Sequence, residues 1–230
     1  MGKQYLIDRK LLTDAEARNF ISEKIRNINS FYSGRLRLTF DLLEIKSGMK
    51  VLDVGCHLGF VDYYLAKSNP GAEFRGIDIV PDFIELADKY VKLPNLSYDT
   101  QDILNNNFKD NTFDYVLFLE TIEHVANPAA YASEFLRILK PGGSLILSTP
   151  NAIGITNILH NLKHMDDMKK IEEEARNTGT ETDHIYCWDK RTLFRLLNRA
   201  GFRYVGHKTS GLFSIRGGQS VVMKVQKPTG

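Results

Sequence analysis

Cysteine is nearly missing from this chain: Cys56 and Cys187 are the only two among 230 residues. So sparse a supply excludes a disulfide framework, and a reducing compartment is the simplest inference. An excess of either charge is missing as well, since 30 Lys and Arg stand against 28 Asp and Glu, a net charge of +2. Balance of that kind argues against a general appetite for nucleic acid or an anionic membrane, while leaving local patches open. Long apolar runs are lacking too. Met1 to Lys10 carries none, and Leu6 stands where a myristoylation signal requires Ser or Thr. A cytoplasmic, soluble chain without a membrane span is the expectation. No internal repeat or low-complexity tract interrupts it, and its length suits one domain with a single sizeable core.

What is present is concentrated in Val51-Leu52-Asp53-Val54-Gly55-Cys56-His57-Leu58-Gly59-Phe60, where an apolar strand ends at an acid and turns through two glycines into a helix. Glycine permits positive φ and close approach of a ligand to the backbone, and a helix opening offers unpaired N–H groups and the positive end of its dipole. Gly55 and Gly59 fit that task. Three more strands end near acidic residues: Phe74 to Ile77 before Asp78, Leu96 to Thr100 before Gln101-Asp102-Ile103, and Phe113 to Leu119 before Glu120. An acid after the second strand of a nucleotide-binding unit takes ribose hydroxyls. The glycine spacing here is GxxxG rather than the GxGxxG of a nicotinamide site.

These residues resemble the class I S-adenosylmethionine-dependent methyltransferases, with the resemblance running from about Lys50 onward. It implies a Rossmann-like, doubly wound α/β sheet of seven strands, mostly parallel with an antiparallel edge strand. It also implies that Asp53, Gly55, His57 and Gly59 lie against the methionine part of the cofactor, Asp78 and Ile79 at the ribose, and Asp102 and Ile103 at the adenine, with Glu120 beside them. Many members of the family carry a third glycine where this chain has His57. That side chain either narrows the methionine pocket or points away from it.

The organisation expected is a single domain: a helical preface (1–48), a cofactor-binding core (49–150), a lid insertion (151–188), and a C-terminal helix with edge strands (189–230). Asp14 to Asn29 has helical apolar spacing capped by Thr13 or Asp14, and Arg35 to Ile45 reads as a second helix. Pro81 and Pro128 open helices after the second and fourth strands, and Lys140-Pro141-Gly142-Gly143 reads as a stop before a strand at Ser144 to Ser148. A helix from Asp189 to Ala200 precedes strands near Phe202 to His207 and Ser220 to Gln226. Between Asn151 and Trp188 the connection is too long to be ordinary. Ile158, Leu159, Leu162, Met165 and Met168 form a helical apolar face there, read either as a lid over substrate or as a helix packed on the sheet edge.

Chemistry is expected after the fourth strand, because ligands of open α/β sheets bind beyond the carboxyl ends of the strands. Glu120-Thr121-Ile122-Glu123-His124 lies there, and a helical turn would bring Glu120, Glu123 and His124 onto one face. With the distant His184 they form a candidate divalent-metal set. The ExxEH pattern with a later His resembles methyltransferases that use a metal on phenolic hydroxyls in ubiquinone biosynthesis or on the 2′-hydroxyl at RNA 3′ ends. The alternative is a metal-free site in which His124 is a general base. Arg191, Arg195 and Arg199 repeat every four residues and either track phosphates or form an ordinary solvated face. The expected activity is O-methylation of a small hydroxylated metabolite, sugar or lipid intermediate. The alternatives are metal-dependent methylation of an RNA 3′ end and a non-catalytic cofactor-binding module.

Overall fold

The chain opens with an element its sequence did not suggest, a hairpin of β1 (Gln4–Ile7) and β2 (Lys10–Thr13) placed ahead of the expected preface helices. Tyr5 and Ile7 are buried while Leu6 and Leu11 remain exposed, a period-2 alternation too short to stand out beside the helical spacing that follows. The computed structural model describes residues 3–7, 10–27, 35–154, 158, 184–210 and 220–230. Helix α1 spans Asp14–Arg26 and starts at Thr13, whose side chain accepts from the Glu16 N–H while the Glu16 carboxylate accepts from the Thr13 N–H. Helix α2 is shorter than expected, Arg35–Phe40.

The core is one sheet. Strands β3 (Lys50–Val54), β4 (Glu73–Asp78), β5 (Leu96–Thr100), β6 (Phe113–Leu119), β7 (Leu139–Pro150), β8 (Arg203–Ser210) and β9 (Ser220–Gln226) form seven strands in the order β5-β4-β3-β6-β7-β9-β8. The first five are mutually parallel, and β9 runs antiparallel between β7 and β8, so the β8–β9 hairpin supplies the antiparallel edge. Unbroken apolar stretches such as Val116-Leu117-Phe118 suit central strands covered on both faces. Helices α5 (Pro128–Ile138) and α6 (Lys190–Ala200) cover one face, over Leu52, Val54, Ile77 and Phe118. Helix α3 (Phe60–Ser68) packs the other face over Val51, Phe74 and Tyr115, and α4 (Pro81–Tyr90) joins α1 and the hairpin around Leu58 and Leu86.

Lys140-Pro141-Gly142-Gly143 does not separate helix from strand; it lies inside β7. Leu139 already pairs with Phe113, and the register slips between Phe113 and Tyr115. Gly142 at φ +80° absorbs the slip, its N–H donating to the Lys227 carbonyl at 3.0 Å. The insertion closes at its base, where Asn151 bridges Trp188 in parallel. Apart from Ile158, the apolar face assigned to a lid lies outside the described residues, as do 155–157 and 159–183. Among the described residues no helix is long and apolar enough to cross a membrane.

Candidate active site

The strand order reverses at β3, with β4 to one side and β6 to the other, and the candidate residues gather at that switch point. After β3 the chain turns through Gly55 (φ +78°), His57 (φ +52°) and Gly59 (φ +70°), three left-handed residues in five. Gly59 is the N-cap of α3, and no side chain caps that helix. The amino end of a helix presents backbone N–H groups and the positive end of its dipole. A Cβ at Gly55 would come within 2.8 Å of Thr121 Oγ1, and one at Gly59 would run into the ring and hydroxyl of Tyr98. The His57 ring lies on Phe83 of α4, ring centroids 3.9 Å apart.

Asp78 ends β4 almost fully buried, with Oδ2 accepting the His57 N–H at 2.9 Å and Oδ1 accepting the Val80 N–H at 3.0 Å. Each oxygen keeps a second lone-pair direction, so the carboxylate is pinned and still able to accept a pair of vicinal hydroxyls. Ile79 beside it is 67 % exposed, an uncommon degree for an isoleucine next to a buried strand end. After β5, Asp102 is exposed and caps a 3₁₀ turn, Ile103–Asn105, through Oδ1 and the Leu104 N–H at 2.9 Å. Ile103 itself is buried in the core, so its side chain is not at the site surface; the exposed apolar neighbour is Leu104.

After β6 the expected turn forms, with the His124 N–H donating to the Thr121 carbonyl at 3.0 Å. It unites three of the four candidate ligands. Donor atoms of Glu123, His124 and His184 lie within 4.8 Å of one another, Glu123 buried and both histidines exposed. His184 is delivered by the strand-like return of the insertion, where the Ile185 and Tyr186 N–H groups both donate to the Glu123 carbonyl, at 2.8 and 3.1 Å. Glu120 stands outside the group. Its backbone is left-handed (φ +50°), and Oε1 accepts from Ser148 Oγ at 2.7 Å, which turns the carboxylate toward β7.

The methyltransferase-domain family matches residues 45–201, spanning the glycine turn, all four acidic strand ends, His124 and His184. The chain belongs to the class I S-adenosylmethionine-dependent methyltransferase family. A phosphoethanolamine N-methyltransferase of Triticum aestivum is 34% identical over 110 residues, 47% of this chain and 22% of that protein. A ubiquinone biosynthesis O-methyltransferase of Cereibacter sphaeroides is 36% identical over 106 residues, 45% of this chain and 42% of that one. The chain thus spans less than half the length of either curated relative. An S-adenosylmethionine-dependent methyltransferase structure from Methanosarcina mazei shares the fold with a TM-score of 0.65 at 22% identity, covering 81% of this chain and 95% of that one.

Other residues of this methyltransferase-family site were silent in the sequence. Tyr98 backs the glycine turn by donating its hydroxyl to the Gly59 carbonyl at 3.1 Å, and Thr121 faces Gly55 from the turn after β6. Neither carries a local signal, because each meets the turn only through the pairing of β3 with strands far away in sequence. Arg191, Arg195 and Arg199 do form one exposed stripe on α6, opposite buried Leu193 and Leu197. A cleft of about 430 Å³ lies at the amino ends of the strands, lined by Lys50, Arg75 and Phe108 among others; Arg75 is held there by Asp99 at 2.7 Å. Its position is opposite to where this fold binds ligands.

Proposed function

We propose that this chain transfers a methyl group from S-adenosylmethionine to a hydroxyl of a small metabolite, sugar or lipid intermediate, with His124 at the reacting oxygen. The observation that carries the reading is the convergence of Glu123, His124 and His184 at the carboxyl end of β6, next to the glycine turn. In this reading Asp53, Gly55, His57 and Gly59 frame the methionine portion of the cofactor, Asp78 and Ile79 the ribose, and Asp102 with the Ile103 backbone the adenine, with Glu120 bordering the pocket through its bond to Ser148. S-adenosylmethionine supplies an electrophilic methyl group on a good leaving group. The chain's own contribution is to hold the acceptor oxygen in line and to accept its proton at the His124 imidazole. A cytoplasmic location belongs to the same proposal, supported by the cysteine usage and charge balance.

The curated relatives include both N- and O-methyltransferases, so the choice of a hydroxyl rests on the imidazole pair. An amine acceptor needs less help from a base than an alcohol does. The same donor set supports a second reading, in which Glu123, His124 and His184 hold a divalent ion. One carboxylate and two imidazoles suit Mn, Fe, Co or Zn better than Mg, and such an ion acidifies a hydroxyl bound to it. A 2′-hydroxyl at an RNA 3′ end remains the alternative acceptor under that reading. It predicts loss of activity when Arg191, Arg195 and Arg199 are reversed in charge, where a small acceptor predicts little change.

Two titrations test these readings. S-adenosylhomocysteine should bind the wild-type chain and bind Asp78→Ala at least about tenfold more weakly, the loss expected when a buried charge-assisted hydrogen-bond acceptor is removed. Unchanged affinity would remove Asp78 from the ribose. Chelator-stripped protein saturated with S-adenosylhomocysteine is then titrated with Mn, Mg, Zn and Co. Tight binding that disappears in His184→Ala supports the metal reading and directs acceptor searches to catechols and terminal ribose diols; no binding leaves His124 as the base. Methyl transfer to any acceptor separates an enzyme from a cofactor-binding module.

A further inference from the structure

Beneath the glycine turn, Asp53, Gly76 and Tyr98 stand in register across β3, β4 and β5, so their side-chain positions share the face toward α3. Gly76 leaves a gap in the middle of that row, and the Asp62 carboxylate of α3 fills it. A Cβ on Gly76 would lie 2.7 Å from Asp62 Oδ2, 2.8 Å from the Tyr98 ring and 2.9 Å from Cys56 Sγ. Asp62 is fully buried and, among the described residues, neither of its oxygens meets a donor; Asp53 is 3 % exposed and its Oδ1 likewise meets none among them. Two carboxylates in such a place cannot both stay ionised without a donor or a cation. The groups facing them are acids or donors committed elsewhere: Asp78 at the end of β4, the Cys56 thiol, which donates to the His57 carbonyl, and the Tyr98 hydroxyl, which donates to the Gly59 carbonyl, with Asp88 of α4 acting on Tyr98.

We propose that Asp62 is a positioning residue that shares one proton with Asp53, and that the pair gives up this proton when the cationic sulfonium cofactor lies on the turn above it. The inference rests on the cofactor reading. In the resting chain one carboxyl donates to the other carboxylate, net charge −1. Cofactor binding brings one sulfonium charge, the O–H bond breaks, the proton goes to solvent, and two carboxylates remain. Methyl transfer turns the sulfonium into a neutral thioether, the proton returns from solvent, and the extra attraction ends with it. The pair therefore favours cofactor over product, which serves turnover. Burial pushes both acids upward, Asp62 to about 8, consistent with a proton that is held at neutral pH and within reach of release.

The full chain is titrated calorimetrically with S-adenosylmethionine and with S-adenosylhomocysteine, from pH 6.5 to 8.5, in buffers of differing protonation enthalpy. Wild type should release up to about one proton per S-adenosylmethionine and fewer per S-adenosylhomocysteine, and its preference for the former should rise by up to about tenfold per pH unit. In Asp62→Asn both effects should vanish, with Asp62→Ser as the second variant should the first fail to fold. Equal proton release with both ligands, or release unchanged in the variants, overturns the proposal while leaving the cofactor reading intact; binding of neither ligand overturns both. Infrared spectra of the ligand-free chain give an independent measure. A protonated-carboxyl stretch is expected at pH 7 and should be lost in the variants, and its absence from wild type overturns the shared proton.

Discussion

A left-handed histidine in the middle of a ligand-binding turn is the clearest residue-scale cost in this chain. An L-residue in that conformation costs about 1–2 kcal/mol relative to glycine, and His57 recovers part of it by resting its ring on Phe83. His57→Gly relieves the backbone and loses the ring contact, so its net effect on stability should stay within about 1 kcal/mol. His57→Val loses the ring contact as well and places a β-branched side chain at φ +52°. It should unfold at lower urea than His57→Gly, by the equivalent of about 1–2 kcal/mol. Equal midpoints for the two variants would show that the turn relaxes to another conformation. Much of this site was legible because glycines and strand-terminal acids mark their own positions. Direction was not: that His57 faces α4, that Ile103 is buried while Leu104 is exposed, and that Glu120 turns to Ser148 all depend on neighbours supplied by other elements.

At the scale of elements, the signals that worked are those in which local chemistry fixes a boundary. Thr13 and Glu16 close a capping box at the start of α1, Asp189 accepts from the Arg191 and Thr192 N–H groups at the start of α6, and Gly201 ends that helix at φ +114°. Thr13→Ala should therefore cost about 1 kcal/mol in chemical denaturation. Where elements are set by pairing, the sequence spoke less plainly. The hairpin β1–β2 is four residues a side, and β7 begins five residues before the predicted Ser144 because Leu139 finds a partner in Phe113. Gly76 is the sharpest case. Within β4 it reads as a weak point in a strand, yet it is the space into which Asp62 fits. Gly76→Ala should force that carboxylate aside and lower the melting temperature by several degrees, more than the fraction of a kcal/mol that strand propensity alone would change. A melting temperature equal to wild type would mean that α3 shifts freely to make room.

For the molecule as a whole, the buried acids make stability depend on pH in a direction opposite to most proteins. Asp53 and Asp62 bind protons more tightly in the folded chain than in the unfolded one, through burial and, at Asp53, the repulsion of Asp62 and Asp78. Their contribution is fully present below the ordinary carboxylate range, near pH 4, and is lost as pH rises toward about 8. Two other sets act the other way. Surface acids held by partners, such as Glu134 with Arg137 and Asp189 with Thr192, contribute above the carboxylate range and lose their contribution as pH falls through it. His207, lowered by burial and by Lys190, loses its contribution as pH falls below about 6.5. Neither set changes between pH 7 and 8, so over that interval the slope belongs to the buried pair; above it the Cys56 thiol, pushed up by burial and by the repulsion of Asp62, Asp53 and Asp78, adds in the same direction. Wild type should lose stability steadily there, measured by urea midpoint. Asp62→Asn should be nearly flat and should exceed wild type at pH 8.5, with the difference narrowing toward pH 5, because the wild-type pair keeps the proton that the unfolded chain lacks and gains stability as pH falls. A wild-type curve as flat as that of the variant would mean that Asp53 and Asp62 ionise freely in the folded chain, and that water or an ion reaches them beneath the turn.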